Sequence, residues 1–257
     1  MIKSKDILAG LSRIDSHMTD STTNQDHSIK LISEQMLSIN GIPIHMKIHE
    51  KDNKICVSVI PPDIEDGDPP KDLVLVIDVS GSMRTCIDVP GGEQTNLSVL
   101  DLVKYTMKVV IKGLRPIDRL TIIKYSCNAS QILEPTYMTE ANQLRAFSIV
   151  DTIQTEGATN MWDGMFKALE TSKQNSLPGV TTTIKVFTDG QPSPEPPRGS
   201  DNMLKKYKDE NPNLNIIMDT FGFGYNLSPI LEKIAKIGGG GFGFIADRST
   251  VGTVFIN

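Results

Sequence analysis

Leu73-Val74-Leu75-Val76-Ile77-Asp78-Val79-Ser80-Gly81-Ser82-Met83 is the stretch on which the reading of this chain turns. Five apolar residues in a row suit a strand buried on both faces, the kind found in parallel sheets. At its end one carboxylate and two hydroxyls alternate. Extended residues i, i+2 and i+4 point to one side, so a turn beginning there gathers Asp78, Ser80 and Ser82 around one point. Three such oxygens suit a hard divalent cation better than a metal that prefers thiolate or imidazole. A Ser/Gly-rich turn beside an acid would look the same, so the rest of the chain has to decide.

Downstream, apolar strands and amphipathic helices alternate. Helical spacing runs over Leu97–Gly113, Glu140–Ile153, Met161–Ser172, Asn202–Asp209 and Pro229–Ile237. Strands are expected at Leu120–Tyr125, Gln131–Leu133, Thr183–Phe187, Asn215–Phe221 and Phe242–Ile245. This order predicts an α/β fold with a doubly wound, mostly parallel central sheet flanked by helices. Ligands of such sheets bind at the carboxyl ends of the strands, and Asp78 stands at one. Upstream, Ile42, Ile44, Met46 and Ile48 alternate with polar residues, as do Ile55, Val57 and Val59, predicting a β-hairpin with one buried face. The expected division is therefore a weakly structured leader over 1–34, a β-hairpin region with a Pro/Asp-rich linker over 35–70, and the α/β domain over 71–257. Ser249–Asn257 reads as a final covering helix that stops early.

Two further loops fall at the same sheet edge. Gly157-Ala158-Thr159-Asn160 precedes a helix, and Thr188-Asp189-Gly190 follows a strand. Thr159 adds a hydroxyl and Asp189 a second carboxylate. Taken singly, Thr159 or Asn160 reads as a helix N-cap and Thr-Asp-Gly as a turn; together, on successive strand ends, they complete a constellation. From about Asp72 to Phe255 the chain resembles the von Willebrand factor type A domains. Their metal-ion-dependent adhesion site has the pattern D-x-S-x-S, a distant Thr and a distant Asp, here Asp78, Ser80, Ser82, Thr159 and Asp189. Asp118-Arg119-Leu120 and Phe221-Gly222-Phe223-Gly224 also look like the family. The resemblance implies coordination through the hydroxyls of Ser80, Ser82 and Thr159, with Asp78 and Asp189 acting partly through bound water. Mg²⁺ is the expected ion, with Mn²⁺ the nearest substitute and Ca²⁺ less suited. The expected partner is a protein that supplies a Glu or Asp carboxylate to the ion.

Other chemistry fits less well. Haloacid-dehalogenase-like phosphatases resemble D-x-D, but Ser80 occupies the second position and cannot serve as an acid near neutral pH. Neither a G-x-S-x-G elbow nor a Walker A loop is present, and Gly222-x-Gly224 is no dinucleotide fingerprint. His45 and His49 would lie ~13 Å apart along a strand at ~3.3 Å per residue, too far for one zinc. Asp101 and Asp163 suit first helical turns, and Asp118 suits a loop; none is assigned to the metal. The run Gly238–Gly241 suits a tight helix-to-strand turn.

A net charge of −5 argues against nucleic acid. No stretch has the character of a signal peptide or transmembrane helix, and Cys56, Cys86 and Cys127 form no disulfide framework; the expected location is the cytoplasm. The segment Asp88–Glu93 would stand beside the ion, either as a partner-choosing loop or as a tolerated insertion. The leading expectation is a cation-dependent protein-binding module, not an enzyme. The alternatives are a scaffold that binds through its N-terminal β region, with a structural metal, and, third, a metal-assisted hydrolase.

Overall fold

The computed structural model describes residues 30–39, 42–51, 54–60, 69–86, 97–190, 192–223 and 227–245. The chain divides into two units, Met1–Asp68 and Pro69–Asn257. Most of the expected leader, the Asp88–Glu93 segment and the expected last helix at 249–257 lie outside the described residues.

In the first unit, β1 (Lys30–Ile39), β2 (Ile42–Lys51) and β3 (Lys54–Ile60) form an antiparallel sheet in that order. The expected hairpin is β2–β3. The additional strand, β1, begins inside the segment read as leader. Its sequence lacks clean alternation because a register shift falls between Leu31 and Ser33, which disguises a strand as irregular chain. Glu34 Oε1 lies 2.5 Å from His45 Nε2 and 3.3 Å from Lys47 Nζ across the pairing. His45 is thereby engaged by a carboxylate.

The second unit holds the six-stranded sheet. Its elements in chain order are β4 (Asp72–Asp78), a 3₁₀ turn (Gly81–Arg84), α1 (Val99–Lys112), β5 (Arg119–Tyr125), β6 (Ala129–Tyr137), α2 (Glu140–Thr152), α3 (Met161–Gln174), β7 (Thr182–Thr188), α4 (Ser200–Glu210), β8 (Ile216–Phe223), α5 (Ile230–Gly238) and β9 (Gly239–Ile245). The sheet order is β6-β5-β4-β7-β8-β9. Every pairing is parallel except that of β6 with β5. Strand β6 runs longer than the three residues expected, because its alternation is blurred on an antiparallel edge with two register shifts.

All seven residues of β4 are buried, which explains its unbroken apolar run. Leu73, Leu75 and Ile77 meet Val103, Met107 and Ile111 of α1 and Val150 of α2 on one face. Val74 and Val76 meet Met165 and Leu169 of α3, Leu204 of α4 and Ile234 of α5 on the other. Helix α1 starts with a reciprocal capping box between Ser98 and Asp101, the structural role expected of that aspartate. At the α5–β9 junction the glycine run does make the tight turn. Gly239 has φ +77°, and a Cβ on Gly240 would come 2.4 Å from the Met218 carbonyl oxygen of β8. The strand begins at once, three residues earlier than its aromatic pattern suggests.

The amino-terminal edge of the sheet is tied by a buried ion pair. The Arg119 guanidinium donates to both carboxylate oxygens of Asp72, at 2.8 Å each, and to the Asn175 carbonyl at 2.6 Å. Thr182 adds a hydroxyl donor to Asp72 at 2.6 Å. One carboxylate thus fastens β4 to both neighbours, β5 and β7. Beside it, burial works against the Asp118 charge, yet bonds from the Arg115 side chain and from the main-chain N–H groups of Lys71 and Arg115 outweigh it. Its carboxyl is held below the usual range, so its stabilisation is present above the ordinary carboxylate pKa and fades only in stronger acid. Asp118 fixes a loop, as expected. Removing one partner of the Asp72–Arg119 pair leaves a buried charge uncompensated. Asp72→Ala should therefore lower stability by about 3–5 kcal/mol in urea unfolding, whereas a loss under about 1 kcal/mol would mean the pair behaves like a surface salt bridge.

Candidate metal centre

Strand β4 lies where the chain order reverses: β5 and β6 run out on one side of it, and β7, β8 and β9 on the other. An open α/β sheet leaves a crevice at the carboxyl edge of such a switch point. Strand β4 brings Asp78 to that edge, and β7 ends one residue before Asp189.

Asp78 is fully buried. Its Oδ1 accepts from the Ser80 main-chain N–H at 2.8 Å, which bends the chain out of the strand, and its Oδ2 accepts from the Thr188 hydroxyl at 2.7 Å. Ser80 is buried beside it. The Ser80 and Ser82 hydroxyls share a hydrogen bond of 3.1 Å, and Ser82 donates to Asp189 Oδ1 at 3.0 Å. Four of the five expected residues thus form one row of oxygens, from a dry floor at Asp78 to an exposed rim at Ser82.

Thr159 is fixed differently. The loop carrying it docks through Glu156 N–H to Val79 O at 2.5 Å and Gly81 N–H to Gly157 O at 3.1 Å. Thr159 then exchanges two main-chain hydrogen bonds with Ser193, both 2.9 Å. The N-cap of α3 is Asn160, whose side chain accepts from Asp163 N–H, so capping does not occupy Thr159. Its hydroxyl shares no hydrogen bond with the Asp78–Asp189 row. Asp163 accepts from Ala129 N–H at 2.5 Å, a structural role. Thr188, whose hydroxyl donates to Asp78, is not among the residues expected at the site. Its signal was its place at the last residue of a parallel strand that pairs with β4.

The electrostatics at this edge are unbalanced. Burial raises the Asp78 pKa above the ordinary aspartate value, more than the bonds from Ser80 and Thr188 lower it. Burial and the Asp78 charge together push Asp189 up to about 6. Among the described residues no Lys or Arg forms an ion pair with either carboxylate. The donor chemistry fits a hard cation: two carboxylates and neutral hydroxyls, with no thiolate or imidazole in the row. The spacings fit as well. Oxygens at the corners of an octahedron around an ion ~2.1 Å away stand about 3.0 Å apart, and the two hydrogen bonds that link the row measure 3.1 and 3.0 Å.

Residues 73–191 match the family model described as von Willebrand factor type A domain. Inter-alpha-trypsin inhibitor heavy chain H4 of Bos taurus is 31% identical over 182 residues, 66% of this chain and 18% of that protein. A probable E3 ubiquitin-protein ligase of Arabidopsis thaliana, WAVH2, is 31% identical over 132 residues, 49% of this chain and 16% of that protein. The chain spans less than a third of the length of the curated relatives it matches. Among solved structures, von Willebrand factor type A from Catenulispora acidiphila has a TM-score of 0.61 at 19% identity, covering 82% of this chain and 43% of that one. Proximal thread matrix protein 1 from the mussel byssus, with a zinc-occupied MIDAS motif, has a TM-score of 0.53 at 16% identity, covering 73% of this chain and 44% of that one. These likenesses establish a von Willebrand factor type A fold.

The two raised carboxyl groups carry a pH signature. A folded-state pKa above the unfolded value means that stability falls as pH rises through the window between them, here from the ordinary aspartate value of 3.8 to about 6 for Asp189. In EDTA, Asp189→Asn should therefore be more stable than the native chain at pH 7 to 8. The difference should be on the order of 1–2 kcal/mol after solvent screening, and it should shrink through the window and close only below the ordinary aspartate value of 3.8. Thermal unfolding of both chains across pH checks this; a gap independent of pH would contradict it.

Proposed function

We propose that this chain, which carries a von Willebrand factor type A domain across residues 73–191, is a divalent-cation-dependent protein-binding module. The observation that carries the reading is the contrast along β4. Asp72 and Asp78 are both buried. Asp72 faces a bidentate guanidinium, whereas Asp78 has only neutral donors and a second carboxylate nearby. A buried carboxylate normally has a compensating charge; at Asp78 a bound cation would provide it.

In this reading Ser80, Ser82 and Thr159 hold the ion through their hydroxyls, and Asp78 and Asp189 hold it directly or through water. Mg²⁺ suits the ~3.0 Å spacing of the row; Mn²⁺ is close in size, and Ca²⁺, with ligands at 2.3–2.6 Å, needs a wider cage. Zinc occupies the corresponding motif of the mussel protein, which supports a site for divalent ions as a class. When bound, such an ion offers an open position of Lewis-acid character. Neutral hydroxyls and only two carboxylates leave much of its charge unspent, so a Glu or Asp side chain of a protein partner completes the coordination. The buried floor keeps bulk water from Asp78.

A catalytic role has less support. The row contains no general acid beyond the two carboxylates that would be committed to the ion. The plant relative named as a ubiquitin ligase is matched over 16% of its length, and nothing in that match assigns ligase chemistry to this chain. The exposed free thiols Cys56, Cys86 and Cys127 suit a reducing, intracellular setting. Among the described residues no helix is long and apolar enough to cross a membrane.

Two comparisons test the proposal. Capture of proteins from lysate in Mg²⁺ should be lost in EDTA and in Asp78→Ala, while far-UV circular dichroism shows the fold retained. Capture that persists in EDTA would favour binding through the N-terminal β sheet instead. Ser82→Ala, at the exposed end of the row, should weaken Mg²⁺ binding about 10-fold in calorimetric titration while leaving stability within about 0.5 kcal/mol.

A further inference from the structure

Tyr125 ends β5 directly opposite Asp78 in the parallel register, and its carbonyl accepts from Val79 N–H at 2.9 Å. Its side chain turns into the core beneath the site and is fully buried. Among the described residues, the Tyr125 hydroxyl is the buried side-chain polar atom that has no hydrogen-bond partner. The groups around it are those of the candidate metal centre: Asp78 and the Thr188 hydroxyl lie beside it, and the Asp189 charge is within reach. It meets hydrogen-bonding geometry with none of them.

An unpaired buried hydroxyl costs stability, and phenylalanine would fill the same space without that cost. The core on the opposite face of the same sheet uses phenylalanine, at Phe187, Phe221 and Phe223. The ring of Tyr125 also has little freedom to find another partner. It rests on the backbone of α3 at Gly164, where a Cβ would come 2.6 Å from the ring. A helix-interior glycine is itself unfavourable, so two local costs converge on keeping one phenol at one place.

We infer that Tyr125 is a positioning residue of the cation site: its hydroxyl is a donor held in reserve for the Asp78–Thr188 pair, and it fixes the Asp78 carboxylate when the site is loaded. Asp78 has one protein donor on each oxygen, and an ionised carboxylate accepts about four hydrogen bonds. One remaining lone-pair direction would serve the ion or its water, and another is open to the phenol, directly or through one trapped water. Residues that orient metal ligands in this way typically change metal affinity by 10–100-fold when altered. This inference rests on the cation-binding reading above.

The test uses Mn²⁺ alone, with free ion measured by electron paramagnetic resonance, together with thermal unfolding in EDTA. Tyr125→Phe removes the hydroxyl and keeps the ring. Its Mn²⁺ Kd should rise about 10-fold or more, while its Tm in EDTA stays equal to or above that of the native chain. Native-like Mn²⁺ affinity in Tyr125→Phe would overturn the inference alone. A clear fall of Tm in EDTA would also overturn it, because the hydroxyl would then belong to the folded scaffold and not to the loaded site. A native chain that binds no Mn²⁺ would overturn both this inference and the reading it rests on.

Discussion

A carboxylate sealed in a dry sheet edge, with hydrogen bonds but, among the described residues, no ion-paired Lys or Arg, is the constraint around which this domain is arranged. Asp78 cannot leave that position without unmaking β4, whose seven residues are buried on both faces. Nor can its charge be dispersed locally, since its two protein donors are a main-chain N–H and a hydroxyl. Placing Asp189 nearby makes the balance worse: burial first, and then the Asp78 charge, push its pKa up to about 6. This edge therefore brings two carboxylates together with both pKa values raised. Functional sites commonly hold such locally unfavourable arrangements, stabilised by the structure around them.

The opposite end of the same strand shows the ordinary solution. Asp72 takes a bidentate arginine, a threonine hydroxyl and a place in the β5–β4–β7 tie. That rigid end lets the other end be poorly balanced, because the strands carrying Asp78, Tyr125 and Thr188 are registered from below. Two aspartates six positions apart thus separate holding the sheet together from holding something at its edge.

Much of this could be read from the sequence because β4 is buried on both faces and so writes itself as an unbroken apolar run. The alternation of helical and extended periods carried the mostly parallel, helix-flanked sheet, and the oxygens of Asp78, Ser80, Ser82 and Asp189 follow from strand ends; the strand order itself needed the structure. What stayed hidden had physical reasons. Strand β1 carries a bulge that breaks its alternation. Strand β6 is a shifted edge strand with mixed exposure. Thr188 and Tyr125 each looked like strand residues, since a β-branched or aromatic side chain at a strand end needs no further explanation until its hydroxyl is located. Whether Asn160 or Thr159 caps α3 also required coordinates; the Asn160 side chain accepts from Asp163 N–H.

The claim that the edge holds an ion with an open position is tested most directly by water-proton relaxation with Mn²⁺. The expected result is one Mn²⁺ per chain with strongly enhanced relaxation from exchangeable inner-sphere water, partly quenched when a carboxylate-bearing protein partner binds. No stoichiometric Mn²⁺, or a bound ion whose relaxation shows no exchangeable water, would contradict it.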